Sequence, residues 1–413
     1  MTDSSLRSCV RPVGALALCV LVGAITATGA AGQEGLGGRW RAQLDLAGGP
    51  LRFHMELSTR GDTTGVLCNG PKCDPFSAVR PLPGDSVLLE IGDYAAAIRA
   101  HVGADSLVGF YRNVGNRGPR TIPFRAARGS WPVQVPAPSL TGRWDAIFTP
   151  DASPSPRVLE LRGTERGLEG TVISNTGDSG LFWGGAADGT FVMSHFDGSF
   201  VYMLTGELDG DTLRGIFHAG LTSQRPFVAV RSTGAAHLKA PTEMVEVDTA
   251  AAFQWDFPDL DGNLVSNGDE RFRGKVVIVE IFGTWCPTCH DAAPTMVELY
   301  DRFRDRGLEV VGLAYEVTGD PAVDGALVRR FAEKFGIEYP LLLAGVNDDD
   351  SPRETQPQLD GPIAFPTTLF LDASGRVRRV HSGFYGPALG EAHEELEQEF
   401  MDFTDELLKE AGR

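Results

Sequence analysis

The sequence predicts a multi-domain chain in which a duplicated, barrel-like antiparallel β region precedes a C-terminal α/β domain. Three observations carry this expectation. Short signatures recur in one order at offsets of 103 to 106 residues along the 413. Within each copy, alternating runs such as Phe53-His54-Met55-Glu56-Leu57 are parted by Gly/Asp turns. After residue 249 the pattern changes to continuous apolar runs alternating with helical stretches. A 42% hydrophobic, 22% charged composition supports packed cores rather than disorder. Lys and Arg total 37 against 55 Asp and Glu, a net charge of −18 that repels phosphate backbones and excludes nucleic acid as a partner. No stretch after residue 32 approaches ~18 uninterrupted apolar residues, which excludes a polytopic membrane protein.

Residues 1–32 read as a signal peptide. Arg7 and Arg11 precede the apolar run Val13 to Ile25, and small residues follow, with Ala30 or Ala31 as cleavage points. The alternative is an uncleaved anchor, so any membrane anchoring is confined to this N-terminal segment. Cys19 follows Leu18, where lipid modification wants a small residue. Either way the body lies outside the cytoplasm, exported to a periplasmic or cell-envelope location. Cysteine usage agrees. Beyond Cys9 and Cys19 of the signal stand two close pairs, Cys68 with Cys73 and Cys286 with Cys289. Cys68 and Cys73 bracket the turn-prone Asn69-Gly70-Pro71-Lys72 and are expected to form a structural disulfide; a second redox pair is the alternative.

The first β repeat is expected over 33–128 and the second over 140–232. Gly38-Arg39-Trp40 recurs as Gly142-Arg143-Trp144, Asp105 to Phe110 as Asp211 to Phe217, and Phe124 to Arg128 as Phe227 to Arg231. Each copy suffices for a small barrel or half of a shared one. Gly129 to Ser139, with Pro132, Pro136 and Pro138, is a stiff linker between them. A Gly-x-Trp on the first strand with an Arg on the last resembles the lipocalin-type barrel pattern. Trp40 and Trp144 then plug barrel ends, with a ligand platform as the functional alternative. His54, His101, His195 and His218 lack metal-ligand spacing and read as ordinary strand residues.

A linker, 233–249, leads into the domain 250–413. Val276 to Phe282 has the continuous apolar character of a strand buried on both faces. Gly283-Thr284-Trp285-Cys286-Pro287-Thr288-Cys289-His290 follows, then a helical stretch, Asp291 to Arg306. Leu308 to Tyr315 is a second buried strand and Val323 to Phe335 a second helix. Thr368 to Leu371 and Val377 to Val380 flank Ser374-Gly375 as a hairpin. Glu391 to Glu410 closes the chain as a helix with Leu396, Phe400, Phe403 and Leu407 on one face.

This arrangement resembles the thioredoxin fold, and within it the exported thiol-disulfide oxidoreductases of the TlpA/ResA type. The resemblance rests on Trp285-Cys286-x-x-Cys289 after a buried strand, Pro294 five residues past Cys289, and Phe365-Pro366-Thr367 opening a later strand. It implies that Pro366 is cis and lies beside the dithiol. It also implies clients that are disulfide-bearing or dithiol proteins and a membrane-borne thiol electron donor. The chemistry calls for no cofactor.

Physical chemistry points the same way. A cysteine at a helix start gains from unpaired N–H groups and the positive end of the dipole, which favour a thiolate; Cys286 holds that position and Pro287 suits the first turn. Cys286 is thus the expected nucleophile, and Cys289, one turn later, the resolving thiol. Glu280, inside an apolar strand, is costly to bury unless protonated or paired. By resemblance it lies where thioredoxins hold a buried acid, which makes it the proton acceptor for Cys289. The alternative is a strand-end carboxylate reaching Lys275.

Two departures stand out. Ala292 occupies the position three residues past the second cysteine where such reductases often carry Glu, and the adjacent Asp291 is expected to point elsewhere. Gly345 to Pro362, with Asn347-Asp348-Asp349-Asp350, reads as a solvated charged loop rather than a calcium site.

Rival readings remain. Cys286-Pro287-Thr288-Cys289-His290 matches the c-type haem attachment pattern, with His290 as axial ligand; otherwise His290 is an exposed helix residue helping to keep Cys286 ionised. Cys286-Pro287-Thr288 also occurs in peroxiredoxins, but Gly283 and Val279 stand where that family carries Thr and Pro. A non-catalytic binding protein acting through its β repeats is the third alternative. The reading preferred here is an exported oxidoreductase that reduces disulfides of extracytoplasmic proteins.

Overall fold

A computed structural model describes residues 35–114, 119–132, 137–149, 154–234, 237–348 and 351–413. The expected signal segment, with Cys9 and Cys19, lies outside the described residues, as do Pro136, Asp349 and Asp350.

The first repeat contributes β1 (Gly38–Leu46), β2 (Gly49–Ser58), β3 (Thr64–Asn69), β4 (Lys72–Pro75), β5 (Ala78–Leu82), β6 (Ser86–Ile91), β7 (Ala96–Val102), β8 (Ser106–Asn113) and β9 (Arg120–Arg128). The second contributes β10 (Gly142–Phe148), β11 (Ser155–Thr164), β12 (Gly167–Ser174), β13 (Gly177–Asp178), β14 (Phe182–Ala187), β15 (Thr190–Phe196), β16 (Val201–Asp209), β17 (Thr212–Ala219) and β18 (Ser223–Arg231). The first sheet runs β4-β3-β2-β1-β9-β8-β7-β6-β5, and the second repeats that order strand for strand over most of its length. In the second copy β11 also pairs with β12, which closes a ring through β10, β18, β17, β16, β15 and β14. The first copy stays open between β3 and β5, where Phe76 N–H donates to the Gly65 carbonyl at 2.9 Å. Each copy therefore forms its own barrel-like sheet, not half of a shared one.

The repeated signatures have a packing explanation. Along β1, Trp40, Ala42 and Leu44 point inward while Arg39 and Arg41 face solvent, the alternation a one-sided sheet requires. Trp40 Nε1 donates to Leu36 O at 2.9 Å, and the Arg128 guanidinium lies 4.5 Å from its ring centroid. In the second copy Trp144 Nε1 donates to Leu140 O at 2.9 Å beneath Arg231, 4.2 Å away. Both indoles are fully buried, as expected of residues that close a barrel end. The barrels share a core boundary, since Phe196, Val201 and Met203 of the second pack into the first; Phe53 and Phe196 rings lie 4.8 Å apart.

The C-terminal domain adds β19 (Glu246–Val247), β20 (Asp256–Pro258), β21 (Leu264–Ser266), β22 (Val276–Phe282), α1 (Pro287–Phe303), β23 (Leu308–Glu316), α2 (Pro321–Phe335), β24 (Leu341–Val346), α3 (Ser351–Thr355), β25 (Leu359–Asp360), β26 (Thr367–Leu371), β27 (Val377–Ser382) and α4 (Glu391–Glu410). Its main sheet is ordered β24-β23-β22-β26-β27. β22, β23 and β24 run parallel, and β26 and β27 antiparallel, the expected thioredoxin-like arrangement. Every residue of β22 is buried, which explains its unbroken apolar run. No helix among the described residues is long and apolar enough to cross a membrane.

Two expectations need correction. Part of the segment 233–249 is not a free linker, because Glu246–Val247 pairs with Leu359–Asp360. The expected solvated loop 345–362 holds α3 and β25, with Ser351, Pro352 and Gln356 buried. Its charge run contributes a cap there: Asp348 accepts the Ser351 N–H at 2.5 Å, anchoring a short helix against β24.

Candidate active site

Cys286 is the N-cap of α1, in extended conformation, with Pro287 in the first turn. Its carbonyl accepts the Cys289 N–H at 3.0 Å, which places the second cysteine one turn into the helix. Both are free thiols, 3% and 0% exposed. Cys286 Sγ donates to the Phe365 carbonyl at 3.3 Å, and the Phe365–Pro366 peptide is cis, so Pro366 borders the dithiol. Burial, a hydrogen bond to the Cys286 sulfur and that sulfur's charge hold the Cys289 thiol well above the ordinary thiol range.

Trp285 sits at the turn that delivers Cys286. Its Nε1 donates to Tyr315 O at 2.8 Å, and its ring meets Phe365 edge-on at 5.1 Å. Glu316 fastens the same turn, accepting the Thr284 N–H at 2.8 Å and the Thr284 hydroxyl at 2.7 Å. Burial pushes the Glu316 carboxyl up to about 8. This acid was not singled out from the sequence. The signal was there, a carboxylate ending an apolar strand level with the motif.

Glu280 lies beneath the dithiol on β22, between Gly312 of β23 and Thr368 of β26. It is 2% exposed and its Oε1 has no hydrogen-bond partner. Desolvation raises it to about 8. It does not reach Lys275, which pairs with Glu309 at 3.2 Å.

The barrels cover this face. Ser199 Oγ, in the turn between β15 and β16, donates to Trp285 O at 3.0 Å. The N–H of Gly386 donates to Asp178 Oδ2, and Gly177 bridges to Phe384. Lys72, in the turn bounded by the Cys68–Cys73 disulfide, reaches Asp291 at 3.7 Å. A cavity of about 220 Å³ remains between the domains, walled by Lys72, Asp197 and Tyr94 on the barrel side and Thr288, His290 and Lys334 opposite.

Three expectations about charged residues are corrected here. His290 is not exposed; it is buried with Nε2 against Thr284 O at 2.8 Å and its ring 4.3 Å from Tyr94. Burial, then Lys334, lowers it to about 4, so it is neutral and cannot help keep Cys286 ionised. With Nε2 held by Thr284, it is also poorly placed as an axial ligand. Asp291 does not point idly away but into the barrel interface, where burial raises it to about 6 despite Lys72. His195 is a strand residue as read but not an ordinary one. Burial opposes its protonation, yet Asp197 at 3.2 Å outweighs that and raises it.

Residues 245–394 match the family described as Redoxin. The chain is 34% identical over 138 residues to the thiol-disulfide oxidoreductase ResA of Geobacillus thermodenitrificans, covering 33% of this chain and 72% of that protein. It is 34% identical over 112 residues to ResA of Geobacillus kaustophilus, covering 27% and 57%. A solved thiol:disulfide interchange protein of the thioredoxin family from Chlorobium tepidum aligns with 27% identity over 40% of this chain and 99% of its own, at a TM-score of 0.31. Through its C-terminal domain the chain belongs to the thiol-disulfide oxidoreductases of the TlpA/ResA type.

Proposed function

We propose that the protein is an exported oxidoreductase that reduces disulfides of extracytoplasmic client proteins through Cys286 and Cys289. The observation that carries this reading is the pairing of an N-cap Cys286 with a buried Cys289 one turn later, above Glu280, whose Oε1 is buried without a hydrogen-bond partner. Cys286 thiolate attacks a client disulfide, forming a mixed disulfide and releasing one client thiolate. Cys289 then gives its proton to one oxygen of the Glu280 carboxyl, which releases the proton its burial makes it carry at neutral pH, and attacks the Cys286 sulfur. That step releases the second client thiolate, which is protonated from solvent, and leaves Cys286 and Cys289 joined, two electrons having passed to the client. Pro366 and Trp285 position the dithiol and the client strand. A membrane-borne thiol donor restores the dithiol.

Cys289→Ser should trap mixed disulfides with envelope proteins through Cys286. Recovery of no adducts, from a variant that still folds and reacts with a small disulfide, would overturn the client assignment. Insulin disulfide reduction that survives Cys286→Ser would overturn the chemistry.

A further inference from the structure

Glu280 is one end of a buried polar row. It pairs across the sheet with Thr368 of β26, and Thr368 pairs in turn with His381 of β27. Cross-strand partners project to the same face with Cβ atoms roughly 5 Å apart. That face lies under α1 and α4, since Ile278, Phe282 and Phe370 share a core with Cys289, Met296 and Phe400. The His381 ring meets Phe400 edge-on at 5.0 Å. All three polar side chains are nine-tenths buried or more, and each has unpartnered atoms: Glu280 Oε1, Thr368 Oγ1, and both His381 ring nitrogens.

An unsatisfied buried polar atom forfeits its hydrogen bonds to water with nothing in return. A row of them, whose atoms find no hydrogen-bond partner among the described residues, is expensive unless water completes it. The row also has a direction. It starts at the central strand beneath Cys289 and ends on β27, the edge strand of the sheet.

We propose that Thr368 and His381 are positioning residues which, with bridging water, carry the proton leaving Cys289 from Glu280 to the sheet edge. This rests on the role of Glu280 proposed above. As Cys289 hands its proton to one carboxyl oxygen, a proton leaves the other through the Thr368 hydroxyl, which both accepts and donates, to one ring nitrogen of His381, while the other ring nitrogen releases a proton to water at the sheet edge. No electrons move in this step. Burial, then Arg379, holds His381 down at about 4, so the ring passes a proton on rather than storing it. The groups facing the row are Cys289 from α1, Tyr339 from the loop before β24, and Arg379, itself paired to Glu399 of α4 at 2.8 Å.

The test separates the two chemical steps by stopped-flow. Resolution is followed from a preformed mixed disulfide between Cys286 and a small aromatic thiol, and attack in a Cys289→Ser background. Thr368→Val, nearly isosteric, should slow resolution about tenfold at pH 7 and shift its pH profile, with far less effect on attack. His381→Ala should do the same, and free imidazole should restore it in proportion to concentration. The double variant should be no slower than either single one, as for links of one path. Equal slowing of both steps, an unmoved pH profile or absent imidazole rescue would overturn the path. If Glu280→Gln slows resolution while Thr368→Val and His381→Ala do not, the path fails and the Glu280 role survives. If Glu280→Gln has no effect either, that role fails as well.

Discussion

Ser199 of the second barrel and Trp285 of the dithiol turn are joined by a hydrogen bond of 3.0 Å. Asp197 shapes the turn that delivers Ser199, accepting the Ser199 N–H at 2.8 Å and the Phe200 N–H at 2.7 Å. The second barrel thus packs on the turn that carries Cys286, which is 3% exposed.

Loosening the contact should expose Cys286. Ser199→Ala removes one hydrogen bond of about 1 kcal/mol and should raise alkylation of Cys286 by a bulky maleimide about fivefold. Gly177→Ala should do more. Gly177 has φ +107°, and a Cβ there would lie 2.4 Å from the Phe384 carbonyl oxygen, wedging the barrel off the C-terminal domain. Unchanged labelling in both variants would show that the barrels do not limit access.

Glu280 should tie stability to pH. Its carboxyl is raised from 4.5 to about 8 by burial, so the folded state holds a proton that the unfolded chain has released across that window. Stability then falls as pH rises from about 4.5 to 8, by up to about 1.4 kcal/mol per pH unit. Glu280→Gln, which cannot ionise, should gain on wild type between pH 5 and pH 8 and level off above, as read by denaturant unfolding. A pH-independent difference would show that Glu280 ionises at its ordinary value.

His290 acts with the opposite sign. A ring lowered from 6.5 to about 4 keeps full stability above 6.5 and loses it as pH falls towards 4. Because the ring packs on Tyr94, this acid sensitivity falls at the barrel interface. His290→Gln should flatten the stability curve between pH 6.5 and 4. A variant curve parallel to wild type there would refute the assignment.

The Cys68–Cys73 disulfide closes a short loop, five residues apart in sequence, and should stabilise the first barrel by about 2 kcal/mol through the unfolded chain. Removing both cysteines by Cys68→Ser and Cys73→Ser should lower the denaturant midpoint of the barrels. It should also raise Cys286 labelling, because the same loop carries Lys72 to Asp291. A lowered midpoint without faster labelling would confine the disulfide's role to the barrel.

The sequence alone determined much of this protein. The recurrence of Trp40 with Arg128 as Trp144 with Arg231 disclosed the duplication, because the same packing needs the same residues twice. The unbroken apolar run Val276 to Phe282 marked the central strand, since burial on both faces erases alternation. The placement of Cys286 at a helix start, Cys289 one turn on and Pro366 beside them was legible because it depends on local spacing. Glu280 was legible because a carboxylate in an apolar strand breaks the pattern. Only the tertiary structure decided what lies across from these residues. His290 was misread because helical position says nothing of Tyr94, 196 residues earlier, which buries it. Thr368 and His381 drew no notice because their meaning depends on strand register, which aligns them with Glu280 across the sheet. Ser199 was invisible for the same physical reason. Contacts between distant segments are set by packing, and no local pattern in the chain records them.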